Sequence, residues 1–290
     1  MTQGQRAGGP HEVYLDPARR ASLLRLLDDG FPGLPVRIAA AAAAGHRWED
    51  VTEPFVAWDG AEAVGHVGVL AHRVQVAGAP TEVAGIHAVV TRSDRRRRGV
   101  ARRLLDEAVA WADARFTLAK LGTDFPEVYA PHGFRALALH RFHVDHQGGE
   151  ARGRPLAASE WPWLEALLGE RAPVSHRLAS LDPGWLVGID LALQRRGLAD
   201  LTLLEDLGAV VDWEVVDGVL RLHEVIAREL PPLAELLARA PRHRHVELHL
   251  CPDRLAPDAR AEVMPEAGVW MFRGPWRLDG PIAVSRLAEH

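Results

Sequence analysis

Apolar residues recur along this chain in two rhythms, and the points where one gives way to the other mark out its elements. Leu23, Leu24, Leu26 and Leu27 repeat at helical spacing behind Asp16-Pro17, an N-cap followed by a first-turn proline. A helix is therefore predicted there, ending near Gly30. A second helix is predicted from about Pro35 to Ala44. The pattern then changes. Phe55 to Trp58 and Ala63 to Val76 flank the turn Asp59-Gly60 and read as antiparallel strands. Val83 to Thr91, small and β-branched, reads as another. Helical spacing returns at Val100, Leu104, Leu105, Ala108, Val109 and Ala112. A strand (Thr117 to Leu121), a short helix near Phe125 to His132 and a strand from Phe134 to Val144 complete the order α-α-β-β-β-α-β-α-β.

The stretch Gln147 to Pro155 is polar and glycine-rich, and a domain boundary is placed there, dividing the chain into 1–148 and 149–290. The second half echoes the first in element order. Helices are predicted at Glu160 to Leu168 and about Trp185 to Arg195. Strands at Ala209 to Val216 and Val219 to Ile226 follow, joined by the hairpin signal Asp217-Gly218. A helix after Pro231-Pro232, a strand His245 to Leu250, a short helix near Pro257 to Val263 and a strand Val269 to Phe272 complete it. The echo lies in element order alone, because no residue-level repeat is visible.

Composition narrows the function classes. The 290 residues carry a net charge of −5, against a general nucleic-acid binder. Yet seven of the twelve residues from Arg92 to Arg103 are arginine. Residues 1–150 hold 18 basic and 18 acidic residues and residues 151–290 hold 16 and 21, so the deficit sits in the second half. One cysteine, Cys251, excludes an intrachain disulfide and suits a reducing cytoplasm; its apolar strand makes it a core residue before a nucleophile. No apolar run approaches the length of a membrane span, and Met1 to Pro10 reads as a frayed terminus without a signal-peptide core. One lysine and abundant alanine are read as the codon habit of a GC-rich bacterial genome.

The arginine burst gains meaning from its place. A strand ends at Val89-Val90-Thr91, a turn carries Arg-x-x-Gly-x-Ala as Arg96, Gly99 and Ala101, and an amphipathic helix begins. A helix start offers unpaired backbone amides and a partial positive charge, and small residues let an anion approach them. No Gly-Lys-Ser/Thr follows, so this is no Walker loop. About thirty residues on stands Tyr129-Ala130-Pro131-His132-Gly133-Phe134.

Together the two motifs resemble the GNAT family of acetyl-CoA-dependent N-acetyltransferases over roughly residues 10–145, and within it the tandem-domain, enhanced-intracellular-survival (Eis) type. The resemblance implies an α/β (α+β) GNAT fold, a mixed central sheet flanked by helices, followed by a second, degenerate GNAT-like lobe. It implies that backbone groups of Val89, Val90 and Thr91 hold the pantetheine arm where two parallel strands splay apart. Arg96 stands at the motif's first position, and the backbone amides of Arg97, Arg98, Gly99, Val100, Ala101 and Arg102 would hold the pyrophosphate. Arg92 and Arg95 are read as peripheral charge within reach of the coenzyme's 3′-phosphate. Tyr129 would be the general acid that protonates the departing thiolate, a role its ordinarily neutral phenol suits.

The general base is open. His87, two residues before the pantetheine-binding stretch, is the candidate; His66, His72, Glu49 and Asp50 are rivals. In Eis-type relatives a sterol-carrier-like domain supplies a terminal carboxylate to the active site. The chain to His290 leaves no room for that domain, so that base is not carried over. In the second half, Ala227-Arg228-Glu229-Leu230-Pro231-Pro232 stands where the phosphate loop would be, and its prolines remove amides a phosphate would need. That lobe is expected to pack, dimerise or shape the acceptor pocket. The clusters His140, His143, His146 and His245, Glu247, His249 raise the question of a metal, but the implied reaction needs none and none is expected. The expected activity is acetyl transfer to a primary amine of a small molecule, with no nucleic acid or membrane partner. The alternatives are acetylation of a protein lysine or N-terminus, and a coenzyme-A-binding regulatory module without turnover.

Overall fold

The computed structural model describes residues 11–265 and 268–288; Met1 to Pro10 lie outside the described residues. The chain opens with helices α1 (Glu12–Leu15), α2 (Pro17–Gly30) and α3 (Leu34–Ala43). The Asp16 carboxylate caps α2, accepting from the amides of Ala18 and Arg19 at 2.8 and 3.1 Å. Strands β1 (Glu53–Asp59), β2 (Glu62–Val76) and β3 (Ala79–Thr91) follow, then α4 (Val100–Asp113), β4 (Ala119–Thr123), α5 (Pro126–Tyr129), β5 (Arg135–Leu137) and β6 (His140–Val144). The second half runs β7 (Arg154–Pro155), α6 (Trp161–Glu170), β8 (Leu178–Ser180), α7 (Gly184–Leu193), β9 (Thr202–Leu204), β10 (Ala209–Val216) and β11 (Val219–Ile226). It ends with α8 (Leu233–Arg239), β12 (His245–Leu248), β13 (Arg260–Val263) and β14 (Val269–Arg273).

Two seven-stranded mixed sheets form, and their membership does not follow chain order. The first is β1-β2-β3-β4-β14-β5, with β8 also on β2; the second is β13-β6-β12-β11-β10-β9-β7. The first half thus lends one strand to the second sheet, and the second half lends two, β8 and β14, to the first. β14, from the end of the chain, lies between β4 and β5, and β6, from the first half, lies between β12 and β13. The predicted strand Phe134 to Val144 is therefore two strands in different sheets. Leu139, between them, is buried and bridged to Ile282. The helix expected near Pro257 to Val263 is instead β13, because β6 presents an open edge that Arg260 to Val263 pair along, and pairing outweighs local preference. The short strands β7, β8 and β9 carry too few residues to show a period and were not anticipated.

Helix α4 presses Leu104, Leu105, Ala108, Val109 and Ala112 onto Val67, Val69, Ala84 and Ile86 of the first sheet. Each such fully buried aliphatic side chain stabilises the fold by about 1.5–3 kcal/mol. Helix α8 does the same for the second sheet with Leu233, Leu236 and Leu237. The lobes meet where α7 packs on α3, with Ile189 in the core of α2 and α3. They meet again where β8 pairs with β2. There, buried Asp182 accepts from the Arg73 amide at 2.7 Å and its other oxygen lies 2.9 Å from His72 Nδ1. Cys251 is fully buried in the core, and burial pushes its thiol up to about 11, far from thiolate reactivity.

Candidate active site

Strands β3 and β4 run parallel but pair only at Ala84 with Ala119 and Gly85 with Lys120. Beyond those pairs, both strands continue without bonding each other. A bulge makes the divergence. On β2, His66 pairs with Val90 and Gly68 with His87, so β3 spends one residue more than β2 between them. Ala88, in the bulge, takes a left-handed φ of +49°, which few residues with a side chain adopt. His66 Nδ1 lies 2.8 Å from the Ala88 carbonyl and pins it there. Burial lowers the His66 pKa to about 4, so its ring is neutral and Nδ1 donates.

The splay opens a cleft of about 390 Å³. Ile86 to Thr91 and Arg96 line one side, Gly122 to Phe125 and Tyr129 the other, and Gly30 and Phe31 close it. The predicted Val89, Val90, Thr91, Arg96 and Tyr129 all face this space. Phe31 and the β4 end, Gly122 to Phe125, were missed by sequence reasoning; the Gly-Thr-Asp-Phe run after an apolar strand was the available signal.

Arg96, which lines the cleft, stands four residues before Val100, the first residue of α4. The first intrahelical bond runs from Arg103 N–H to the Gly99 carbonyl at 3.1 Å. The amides of Val100, Ala101 and Arg102 precede it and have no helical acceptor. Gly99 takes φ +78°, a left-handed turn that suits a residue without Cβ and keeps the approach to these amides open. Arg97, Arg98 and Arg102 are exposed around it, with no ion pair among the described residues. Arg96 Nε donates to the Thr91 carbonyl at 3.2 Å and closes the turn. Arg92 binds Asp94 at 2.7 Å and Arg95 binds Asp59, so both are held at the periphery within the protein's own ion pairs.

Tyr129 ends α5 with its ring buried against Phe134 at a 6.3 Å centroid distance. Its hydroxyl shares a hydrogen bond with Thr123. Burial raises the phenol pKa, outweighing that bond, so the group stays protonated through neutral pH.

A second cavity of about 210 Å³ adjoins the cleft; Phe31, His87 and Ala88 line both. Leu34, Arg37, Trp48 and Leu70 form its walls together with Ile189 and Leu193 of α7, a contribution from the second half. The His87 ring stands edge-on to Trp48 at 5.5 Å. Gly68 makes room for it, since a Cβ there would lie 2.5 Å from the ring. The rival bases are elsewhere: His66 is bound to Ala88, His72 to Asp182, Glu49 to Arg20 at 2.6 Å and Asp50 to Arg47 at 3.6 Å. None of the four lines either cavity.

The histidine clusters pair with each other. His143 Nδ1 lies 2.9 Å from His245 Nε2, and His146 Nδ1 lies 2.9 Å from His243 Nε2, tying exchanged β6 to β12. Among the described residues no group of three or more His, Cys, Asp or Glu could hold a metal ion. No helix there is long and apolar enough to cross a membrane.

Residues 21–136 match the family model of the acetyltransferase (GNAT) domain. No curated protein sequence matches the chain. Among solved structures it is similar to a GCN5-related N-acetyltransferase from Kribbella flavida at 19% identity, covering 88% of this chain and 68% of that one with a TM-score of 0.56. A GCN5-related N-acetyltransferase from Anabaena variabilis ATCC 29413 matches at 14% identity, 89% and 71% coverage and TM-score 0.59. Eis1 from Mycobacterium abscessus matches at 16% identity, 89% and 71% coverage and TM-score 0.58. At these identities the likeness is one of fold, and it extends through both lobes.

Proposed function

We propose that this protein transfers an acetyl group from acetyl-CoA to a primary amine of a small molecule, with residues 1–148 carrying the transfer and 149–290 forming a lobe without a cofactor motif. The observation that carries the reading is the splayed cleft between β3 and β4, with Tyr129 in its wall and Thr91 and Arg96 on the side that leads into the unpaired amides of α4. The pyrophosphate of acetyl-CoA binds those amides, with Arg97, Arg98 and Arg102 around it. The pantetheine arm runs along Val89, Val90 and Thr91, whose strand edge β4 leaves unpaired.

The acceptor enters from the second cavity and meets the thioester at His87. Its nitrogen attacks the acetyl carbonyl, and an amide N–H of the bulge near Val89 stabilises the oxyanion. His87 takes the proton the amine loses. The carbon–sulfur bond then breaks, and the thiolate takes the Tyr129 hydroxyl proton. The phenolate regains a proton from solvent.

Measuring coenzyme A release with a panel of amines, beside acetyl-CoA binding by calorimetry, tests the reading. Release that depends on the amine is expected. Tight acetyl-CoA binding with no release for any amine would favour a non-catalytic module instead.

A further inference from the structure

The second cavity has a chemistry of its own. Phe31, Leu34, Trp48, Leu70, Ile189 and Leu193 make it apolar, and no carboxylate lines it. Arg37 is its one permanent charge. The guanidinium has no ion pair among the described residues, and its Nε is buried without a hydrogen-bond partner. Its one recorded bond is a long one, Nη1 to the Pro32 carbonyl at 3.4 Å. Outside the lining, a second cation is near the Gly33 turn: Arg195 Nη2 and Arg37 Nη1 lie 3.6 and 3.7 Å from where a Gly33 Cβ would be. Asp28, the carboxylate nearest that turn, accepts from the Gly33 amide at 2.8 Å and pairs with neither arginine.

We infer that the acceptor is a small amine with an apolar side chain and a carboxylate, of the hydrophobic α-amino-acid class. The inference rests on the acetyltransferase reading and deepens it. A polycation such as a polyamine or an amino sugar would bring several positive charges to the Arg37 guanidinium, in a cavity with no carboxylate to receive them. It would also leave the apolar walls in contact with strongly hydrated groups. A hydrophobic amino acid satisfies each feature. Its side chain packs on Trp48, Leu70 and the α7 residues, and its carboxylate meets the Arg37 fork, the geometry at which arginine excels. Its amine is then turned toward His87 and Ala88, the residues shared with the cleft. The size agrees: about 210 Å³ is below the usual range for drug-sized ligands and suits a single amino acid.

The test compares kcat/KM for phenylalanine, leucine, phenethylamine, spermidine and kanamycin, in the native chain and in Arg37→Gln and Arg37→Lys. Phenylalanine should exceed phenethylamine, which differs only in lacking the carboxylate, at least tenfold, mainly through KM. It should exceed spermidine and kanamycin by more. Arg37→Gln should bring the phenylalanine-to-phenethylamine ratio near one, and Arg37→Lys should restore part of it. Two results would overturn the inference while leaving the acetyltransferase reading intact: a preference for spermidine or kanamycin, or an Arg37→Gln variant with an unaltered ratio. Absence of coenzyme A release with every amine would overturn both.

Discussion

The two lobes share one strand plan and treat the same gap in opposite ways. In the first, β3 and β4 part after Gly85 and Lys120, and the space between them is a cleft. In the second, β11 and β12 run parallel from Val219 and His245 and part after Leu222 and Leu248. There the protein fills the gap with its own chain. The Ala283 amide donates to Cys251 Sγ at 3.2 Å just past β12, and Ser285 lines the same space as Glu224 of β11. Residues 283–285 thus lie against the ends of both parted strands, beside Glu224 and Leu250-Cys251, where the first lobe leaves an open cleft. Arg286 anchors the segment by binding buried Asp212, which also binds Arg196 at 2.6 Å.

The helix entries differ in the same sense. The first lobe enters a fourteen-residue helix through Gly99, and the second enters a seven-residue helix through Pro232. A strand gap and a helix start are therefore scaffold features, and what occupies them decides whether a lobe can bind a nucleotide. The largest expected effect tests whether chemistry is confined to the first lobe. Tyr129→Phe removes the phenol of the cleft wall, whose proton burial keeps in place. It should cut kcat about 100-fold or more, while KM for acetyl-CoA stays within about twofold. Steady-state kinetics decides it, and a kcat within threefold of native would remove Tyr129 from the mechanism.

The next test sets the two helix entries against each other. Gly99→Val places a Cβ at a left-handed φ, which costs about 1–2 kcal/mol, and adds methyl groups beside the amides an anion must reach. KM for acetyl-CoA should rise about tenfold, with kcat falling less. Pro232→Gly alters the corresponding entry of the second lobe and should leave KM for acetyl-CoA within about twofold. Equal effects from both would mean the lobes share the nucleotide.

Most of the first lobe was legible because its signals are local. The Asp16-Pro17 cap, the Asp59-Gly60 turn and the α4 apolar stripe each lie within one element, and the Arg-x-x-Gly-x-Ala and Tyr-x-x-x-Gly-Phe motifs sit on contiguous residues. What escaped depends on distant pairing. Nothing in Phe134 to Val144 marks Leu139 as the point where the chain changes sheets, because both pieces are ordinary strand sequence. β13 reads as helix until β6 offers it an edge. The acceptor pocket was expected within Gly30 to Trp58, but no motif there singled out Arg37, since the packing of α7 on α3 completes the pocket it lines. The ion pair that occupies Arg95 required Asp59, a turn residue more than thirty positions away.

The smallest expected effect separates the lobes by pH. Each holds one histidine whose pKa the fold lowers to about 4: His66 through burial, and His223 through burial and then the nearby charge of Arg286. Unfolded, each would titrate near 6.5. The native state thus favours the neutral ring. The stability this gives is complete above pH 6.5 and is lost as pH falls from there toward 4, where the native rings also take up protons. A denaturant midpoint that is flat from pH 8 to 7 and declines between 6.5 and 5 is expected, in a window above most carboxylate titrations. His66 holds the bulge and His223 stands at the parting of β11 and β12, so the loss should appear in both lobes. Hydrogen exchange of the β3 and β11 amides distinguishes them. His223→Gln should flatten the β11 response while that of β3 persists, and a midpoint constant from pH 6.5 to 5 would show that neither histidine is held neutral by the fold.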